Sequence, residues 1–527
     1  MTTVTTNSAA RPGALSASIG ITVDSARRLH PIVWLYLIFI VLPVGFFVGT
    51  LSLSLLRILL LFTTVPLMIG VLTGRYGRVW PVDWLFLLHI CWAMVAVAVN
   101  NPDRAVENIG SAGIEFLGGY AIARAYIRTR ADFFALVRVF ALLVVLLLPL
   151  ALLESQTDVA IVLKAILDLG LDAPVEVDMD PRMGLFRAQT VFAHPIHYGL
   201  FCSAAFSLVY VGMKDMMTPM ARYLMSCAVL TGVFLSLSSG ALLSAILQIG
   251  LIGWAYVFRN VTKRWHMLAG ICVLMYVTVD LLSNRTPIKV FMSYATFSAH
   301  TAYYRAIIFE WGMINVWDNP VFGLGLRRWI RPGYMKSGSV DNFWLLMTMR
   351  YGIPGFILLA LGYLDALFRV GRRALTPGSP ESQIRLAWMI CFVGLSFTLA
   401  TVHIWTSIYS FVFFLLGSGL WLATADSDSA PEPVAEAARG PVYSRQAVPV
   451  HTRGEAVAPA RRAEAKPAYS RRHEAAPRPA PDEAAPVETP ATAGSGSRAE
   501  LSEQAGPNER RTRGSARFSR FDPGHNR

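Results

Sequence analysis

The sequence predicts an all-α polytopic membrane protein, and three observations support this fold class. Of the 527 residues, 54% are hydrophobic and 15% are charged, whereas a soluble domain carries roughly a quarter charged residues. The mean hydropathy is +0.47. Apolar runs of about 20 residues, the length a helix needs to cross a bilayer, recur through most of the chain. These runs predict about 12 transmembrane helices.

The apolar runs divide the chain into three parts. Residues 1–30 are polar and are predicted to form a cytoplasmic N-terminus, and residues 31–424 form the membrane domain. Within this domain, the fourth run gives the weakest signal because it contains Glu115. The predicted spans are 31–49, 51–72, 81–99, 109–126, 133–154, 189–212, 221–237, 240–258, 265–282, 341–366, 385–401 and 403–423.

Basic residues indicate the sidedness of these spans. If the N-terminus is cytoplasmic, the compact loops rich in arginine and lysine fall on the cytoplasmic side, as the positive-inside bias requires. Loops 155–188 and 283–340 then lie on the outer side, and both termini are cytoplasmic. The basic residues of the inner loops are Arg75, Arg78, Arg124, Arg128, Arg130, Arg138, Lys214, Arg222, Arg259, Lys263, Arg264, Arg369, Arg372, Arg373 and Arg385.

Residues 425–527 form a tail of different composition, rich in Ala, Pro, Arg and Glu and without apolar periodicity. Such a segment cannot bury enough apolar surface to offset its ordering entropy, so we expect a disordered cytoplasmic tail. It is either a solvated extension or a docking segment for proteins or anionic lipid. From Asp426 it carries 16 basic and 14 acidic residues, which leaves +11 of the total charge of +13 to the rest of the chain. Cytoplasmic loops account for that excess, and we expect no nucleic-acid partner.

Arginines on the outer side oppose the charge bias and are the first candidate binding residues. Arg305 lies near the start of Tyr303–Trp317, an amphipathic segment suited to a helix in the outer interface. Its guanidinium could clamp a phosphate or snorkel to lipid headgroups. Arg182 and Arg187 also lie on the outer side, near the end of their loop.

Two candidate residues lie in the predicted span 341–366. Asp341, at its start, is either the helix N-cap or a carboxylate that acts as a general base on a sugar hydroxyl. Arg350 lies nine residues further on, about 13 Å deeper along a helix. An arginine at that depth is functional or paired, and we favour a structural pair with Glu115.

Two histidines, His194 and His197, lie in the segment VFAHPIHYG. Their i, i+3 spacing brings them close on a helix, and Pro195 suits the first helical turn. A metal pair would lack a clear third ligand, so we expect no metal and interpret both as hydrogen-bonded residues near the site. The chain contains no GxxxxGK[ST], GxGxxG or HExxH motif, and no cofactor is expected.

Four segments occur in a diagnostic order: RMGLFRAQTVFAHPIHYGLF, SLSSGALLS, YYRAIIFEWGMINVWDNPVFGLGL and DNFWLLMTMRYGIPG. In this order they resemble the O-antigen ligase/polymerase superfamily (Wzy/WaaL-like), and in character they are closest to its exopolysaccharide polymerases. The motifs cover about residues 180–365. The tail lies outside the resemblance.

The resemblance implies a GT-C-like glycosyltransferase of the bacterial inner membrane, with loops 155–188 and 283–340 in the periplasm. Its donor would be a glycan on undecaprenyl pyrophosphate, and the transfer would be inverting and independent of metal ions. Arg305 and Arg187 (or Arg182) match the family's outer arginines, which bind the pyrophosphate. The remaining expected substrate contacts are Arg327, Arg328, His194, His197 and Asn342.

Two departures from the ligase pattern favour a polymerase. Ligases begin the last motif with His, where this chain has Asp341, and carry Arg after the serines, where it has Ser239. An initial Asp resembles capsule and exopolysaccharide polymerases. These move the growing chain onto the next undecaprenyl-pyrophosphate-linked repeat unit, with Asp341 as the expected base. Export or chain-length-control proteins are candidate partners.

Two alternatives remain open. A ligase would transfer polymer to lipid A core or to a protein. A lipid-linked glycan flippase would carry charged residues along a path through the bilayer, whereas the charges here cluster in the outer loops.

Overall fold

The computed structural model describes residues 29–49, 51–283, 299–335 and 337–425. This part of the chain is helical except for one short hairpin and the connecting loops. Most of the predicted N-terminal segment and nearly all of the predicted tail lie outside the described residues. The prediction of an all-α polytopic membrane protein is confirmed.

Prolines at first helical positions and polar N-caps set the starts of many helices. In chain order the elements are α1 (Pro31–Val41), β1 (Gly45–Val48), β2 (Leu51–Ser54), α2 (Leu55–Leu72), α3 (Pro81–Asn100), α4 (Pro102–Tyr126), α5 (Arg130–Thr157), α6 (Ile161–Asp168), α7 (Pro195–Ser207, extended by a π-helical turn Leu208–Gly212), α8 (Pro219–Leu235), α9 (Ser239–Val257), α10 (Arg264–Leu282), α11 (Ala299–Asp318), α12 (Phe343–Arg372), α13 (Pro380–Leu399) and α14 (Thr406–Gly417, followed by a 3₁₀ turn Leu420–Ala423).

Nine helices in the described ranges are long and apolar enough to cross a membrane: α2, α3, α5, α7 with its π turn, α9, α10, α12, α13 and α14 with its 3₁₀ turn. Each contains most of one predicted span. Two other predicted spans fall on α4 and α8. Helix α4 has 25 residues but several charged ones, and α8 has 17 residues. The α11 helix is also confirmed, and its place in the interface stays a prediction.

The prediction of a single span over residues 31–49 is wrong. Helix α1 ends at Val41 because Pro43 cannot continue it. The apolar residues that follow form β1, which pairs antiparallel with β2. Gly49 takes the positive φ of the hairpin turn, +63°.

Helix α4 lies at the centre of the packing, with α2 and α14 against it. Its two adjacent glycines permit the close approach. A Cβ on Gly118 would lie 2.4 Å from Thr64 Oγ1 in α2, and one on Gly119 would lie 2.5 Å from the Ser410 carbonyl oxygen in α14. At the other extreme, α10 has no buried residue in the described chain.

Helix α12 is kinked at Gly352, whose backbone has φ +71° and ψ 177°. The kink frees backbone groups, and the loop after α11 bonds to them. Leu324 N donates to the Met349 oxygen (2.7 Å), and Gly325 N donates to the Arg350 oxygen (3.0 Å). In the opposite direction, the nitrogen after the kink donates to the Pro320 oxygen (2.8 Å). The loop is therefore fixed to the helix by main-chain bonds.

Polar side chains from neighbouring helices hold the rest of this loop. Asn100, at the end of α3, donates to the Phe322 and Gly323 oxygens (both 3.2 Å). Asn315 of α11 accepts from Ile330 N and donates to its oxygen (both 2.8 Å). The segment between α11 and α12 thus has a defined position.

We expect Gly352→Ala to destabilise the protein strongly. An alanine Cβ would lie 2.0 Å from the Val321 oxygen, and the left-handed backbone alone costs an L-residue about 1–2 kcal/mol. Thermal unfolding in detergent should show a lower midpoint. Gly270→Ala in α10, where a Cβ meets nothing within 4 Å, is the matched control. Equal midpoints for the two variants would contradict this account of the kink.

Candidate active site

Arg182 and Arg187 are held at the turn between α8 and α9. Arg182 pairs with Leu185 in a tight turn (N···O 2.9 and 3.0 Å), and its Nη1 donates to the Leu237 carbonyl oxygen (2.9 Å). Arg187 donates from Nε to the Ser236 oxygen (3.4 Å). The serine-rich turn therefore acts as a neutral support for both guanidinium groups, and neither charge is cancelled by a carboxylate there.

Glu154, at the end of α5, fixes the segment that follows Arg187. Its two carboxylate oxygens accept from Gln189 N (2.8 Å) and Thr190 N (2.7 Å). Thr190 has φ +55°, a backbone conformation that few non-glycine residues adopt. Because the carboxylate binds both amides, it sets the direction in which the chain enters α7.

Arg305 lies in the first part of α11 and is only 8% exposed. Its Nε is buried and has no hydrogen-bond partner among the described residues. Burying a guanidinium without satisfying its donors is costly. An anionic ligand at this position would supply the missing acceptor.

Asp341 is half-buried just before α12, and it accepts a hydrogen bond from Ser339 Oγ (2.7 Å). The alternative that Asp341 caps α12 is wrong. The N-cap is Asn342, whose Oδ1 accepts from Leu345 N (3.0 Å), because the helix starts at Phe343. Asp341 therefore does not cap the helix. A substrate contact by Asn342 stays a prediction.

Electrostatic interactions show that these residues form one cluster. Burial lowers the pKa of Arg305, the charge of Asp341 raises it, and the charge of Arg182 lowers it. Burial also lowers the pKa of Arg187 to about 10, with a further contribution from Arg182. The cluster therefore contains three buried or half-buried arginines and the carboxylate of Asp341.

His194 belongs to the same cluster. Its Nδ1 accepts from Ile196 N (3.1 Å) and caps α7. Burial lowers its pKa to about 4, the charges of Arg187 and Arg182 lower it, and Asp341 raises it. His194 is therefore neutral at pH 7.

His197 is fully buried, and its ring centroid lies 4.0 Å from that of Trp405. Trp405 also contacts the rings of His194 (6.0 Å) and His403 (5.4 Å). In the described ranges, no group of three or more His, Cys, Asp or Glu side chains could hold a metal ion.

Arg327 and Arg328 lie apart from this cluster, at a cavity of about 540 Å³. The cavity lies between the loop after α11, the first turns of α12 and the loop between α13 and α14. Its polar side chains are Arg327, Arg328, Arg331, Ser339, Arg350 and His403. The structure therefore separates the predicted substrate-binding arginines into two groups.

The predicted pair of Arg350 with Glu115 is wrong. Glu115 binds Arg57 of α2, with Nε and Oε1 2.8 Å apart. Arg350 instead lines the cavity. The physical reason is the kink in α12, where the loop after α11 hydrogen-bonds to the backbone of Arg350.

Several residues at the site were not predicted from the sequence. His403 and Trp405 lie in a break between the last two apolar runs, and the polar segment TVHIWT is the signal that indicates it. Arg331 follows two predicted arginines in the same loop. The role of Glu154 has no local signal, because its partners lie about 35 residues away.

The low pKa of His194 makes the stability of the folded protein depend on pH. Between about 4 and its ordinary value of 6.5, the unfolded chain binds a proton that the folded chain does not. Stability therefore rises with pH in this window and is lost as pH falls. We expect His194→Gln to show a smaller decrease in melting temperature from pH 7 to pH 4.5 than the wild type. His266→Gln, on exposed α10, is the control, and an unchanged decrease in His194→Gln would contradict the assignment.

Comparison with known proteins identifies one matching family. Residues 224–360 match the model of a family described as O-antigen ligase. The match includes Arg305, Asp341 and the loop between them. It begins at residue 224, so Arg187 lies outside it. No curated protein shows significant similarity to the chain. The resemblance to the O-antigen ligase/polymerase superfamily is thus confirmed over residues 224–360 of this multi-pass membrane protein.

Proposed function

We propose that this protein is a polysaccharide polymerase of the bacterial inner membrane, with both termini in the cytoplasm. It transfers the growing glycan from undecaprenyl pyrophosphate to the next lipid-linked repeat unit on the periplasmic face. The family match supports a ligase/polymerase-type membrane enzyme. The donor and the direction of transfer are what the family resemblance implies.

One observation carries the proposal. Arg305 is buried, its Nε has no partner in the described part of the chain, and its charge interacts with those of Arg182 and Asp341. Together with Arg187, this gives an excess of fixed positive charge next to one carboxylate. A pyrophosphate leaving group needs such fixed cations where negative charge develops, and a sugar hydroxyl needs a base.

The chemistry follows from these two parts. The oxygen of the acceptor hydroxyl attacks the anomeric carbon of the donor sugar, and its proton passes to Asp341. The bond between that carbon and the pyrophosphate oxygen breaks, and the leaving group takes the electron pair. Arg305, Arg187 and Arg182 bind the resulting charge, and the configuration inverts. The neutral His194 accepts at Nδ1 from Ile196 N, so its proton is on Nε2, which can donate a hydrogen bond beside the same group.

A ligase is the second candidate, because the matching family is described as O-antigen ligase. Asp341, in the position where ligases carry His, favours the polymerase. Cells that lack a polymerase accumulate single repeat units on lipid, whereas cells that lack a ligase accumulate long polymer on undecaprenyl pyrophosphate. Purified protein that lengthens lipid-linked repeats in detergent would also exclude a flippase.

We expect Arg305→Gln to lower polymer synthesis by roughly 10²–10³-fold, the effect of removing one donor to a developing anion. The protein should still insert into the membrane at wild-type amounts. The measurement is polymer length on gels from a complemented deletion strain. Arg259→Gln, an exposed arginine after α9, is the control. Normal polymer in the Arg305 variant would refute its role as a clamp.

We expect Asp341→Asn to lower turnover by about 10²–10⁴-fold, the range for loss of a general base. Donor binding should persist because the arginines remain. Single-turnover assays with lipid-linked repeats would separate the two effects. Ser339→Ala, which removes the hydroxyl that donates to Asp341 and leaves the carboxylate in place, should have a much smaller effect. Wild-type turnover of Asp341→Asn would remove it from the mechanism.

A further inference from the structure

We propose that the cavity lined by Arg327, Arg328, Arg331, Arg350 and His403 is a second anion site, which binds the pyrophosphate of the acceptor. The inference rests on the proposed function, since only a polymerase uses an acceptor that carries its own lipid pyrophosphate. The proposal assigns separate binding sites to the two lipid-linked substrates, the donor and the acceptor.

The composition of the cavity favours an anion. Four of its lining residues are arginines, and none of the described residues that line it is acidic. Its volume of about 540 Å³ lies within the usual range for small-ligand pockets, about 300–1,000 Å³. It can therefore hold a pyrophosphate together with the first sugar.

Neutral groups hold two of these arginines in place without cancelling their charge. Arg327 donates to the Asn100 side chain, and Arg331 Nε donates to the Met335 carbonyl oxygen (3.2 Å). The four ion pairs in the described part of the chain involve none of the cavity residues. Concentrated positive charge is therefore left for a ligand to neutralise.

His403 adds a neutral donor or acceptor. Burial, followed by the charge of Arg350, lowers its pKa to about 3. Its buried Nδ1 has no hydrogen-bond partner in the described chain. A ligand group in the cavity would supply the partner that no described residue provides.

The position of the cavity fits the reaction. Ser339 and Val340 line it, and the next residue in the chain is Asp341. The charge of Asp341 also acts on Arg305 and His194 of the first cluster. The proposed base therefore lies close to both cationic sites. The reacting hydroxyl of the acceptor lies up to one repeat unit away from the acceptor's own pyrophosphate. The acceptor pyrophosphate therefore needs a site that is near the donor clamp but separate from it.

The test is the number of pyrophosphate sites. The full chain is placed in phosphatidylcholine nanodiscs and titrated with inorganic pyrophosphate by calorimetry. We expect two sites per chain. Arg350→Gln should weaken one of them at least tenfold, and Arg305→Gln should weaken the other. Arg328→Gln, a change at an exposed residue that leaves the packing intact, should act on the same site as Arg350→Gln. Arg259→Gln should keep both.

A single site in the wild type, or two sites that Arg328→Gln and Arg350→Gln leave unchanged, would overturn the proposal. A second arm uses phosphatidylglycerol nanodiscs. If that lipid alone abolishes binding at the second site, a membrane headgroup is its occupant, and the acceptor assignment is overturned. The proposed function fails separately, because it fails when Arg305→Gln still makes polymer, whatever the number of pyrophosphate sites.

Discussion

The main-chain hydrogen bonds between the loop at Pro320–Gly325 and the kink in α12 are the constraint on which the site depends. A continuous helix would use the carbonyl oxygens of Met349 and Arg350 internally. Gly352 frees them, and two loop amides bond to them. Gly323, with φ +62°, lies against the same turn, where a Cβ would be 2.6 Å from the Gly352 nitrogen. This one contact therefore explains why both Gly323 and Gly352 are glycines.

This contact fixes the relative positions of the two cationic groups. It sets the loop that carries Arg327, Arg328 and Arg331 against α12, and Asp341 lies just before that helix. The other group is held by the turn after α8 and by α11. Carbonyl oxygens and an amide side chain position arginines of both groups, so their geometry is defined while their charge is retained; these arginines are Arg182, Arg187, Arg327 and Arg331. Asp341 is held by neither of these sets of contacts. Its side chain is positioned by the hydrogen bond from Ser339.

Much of the membrane architecture could be predicted from the sequence, because a bilayer imposes length and apolarity on each spanning helix. The prediction was wrong at residues 31–49, where Pro43 and Gly45 end the helix although hydropathy remains high. Charge bias alone selected the arginines that are predicted to lie on the outer side. The partner of Glu115 could not be predicted, because the choice of Arg57 over Arg350 depends on which helix packs against α4, and that helix is α2. His403 was assigned to a span because one polar residue hardly changes an apolar average.

Helix α10 places no side chain in the core of the described chain. Its sequence is therefore constrained by the surrounding lipid and hardly at all by neighbouring residues. Most apolar side chains of any shape should be interchangeable there, whereas a single added methyl group at Gly118 or Gly119 of α4 meets the adjacent helices. Among relatives, this helix should diverge fastest within the membrane domain, provided that its length and apolarity are kept.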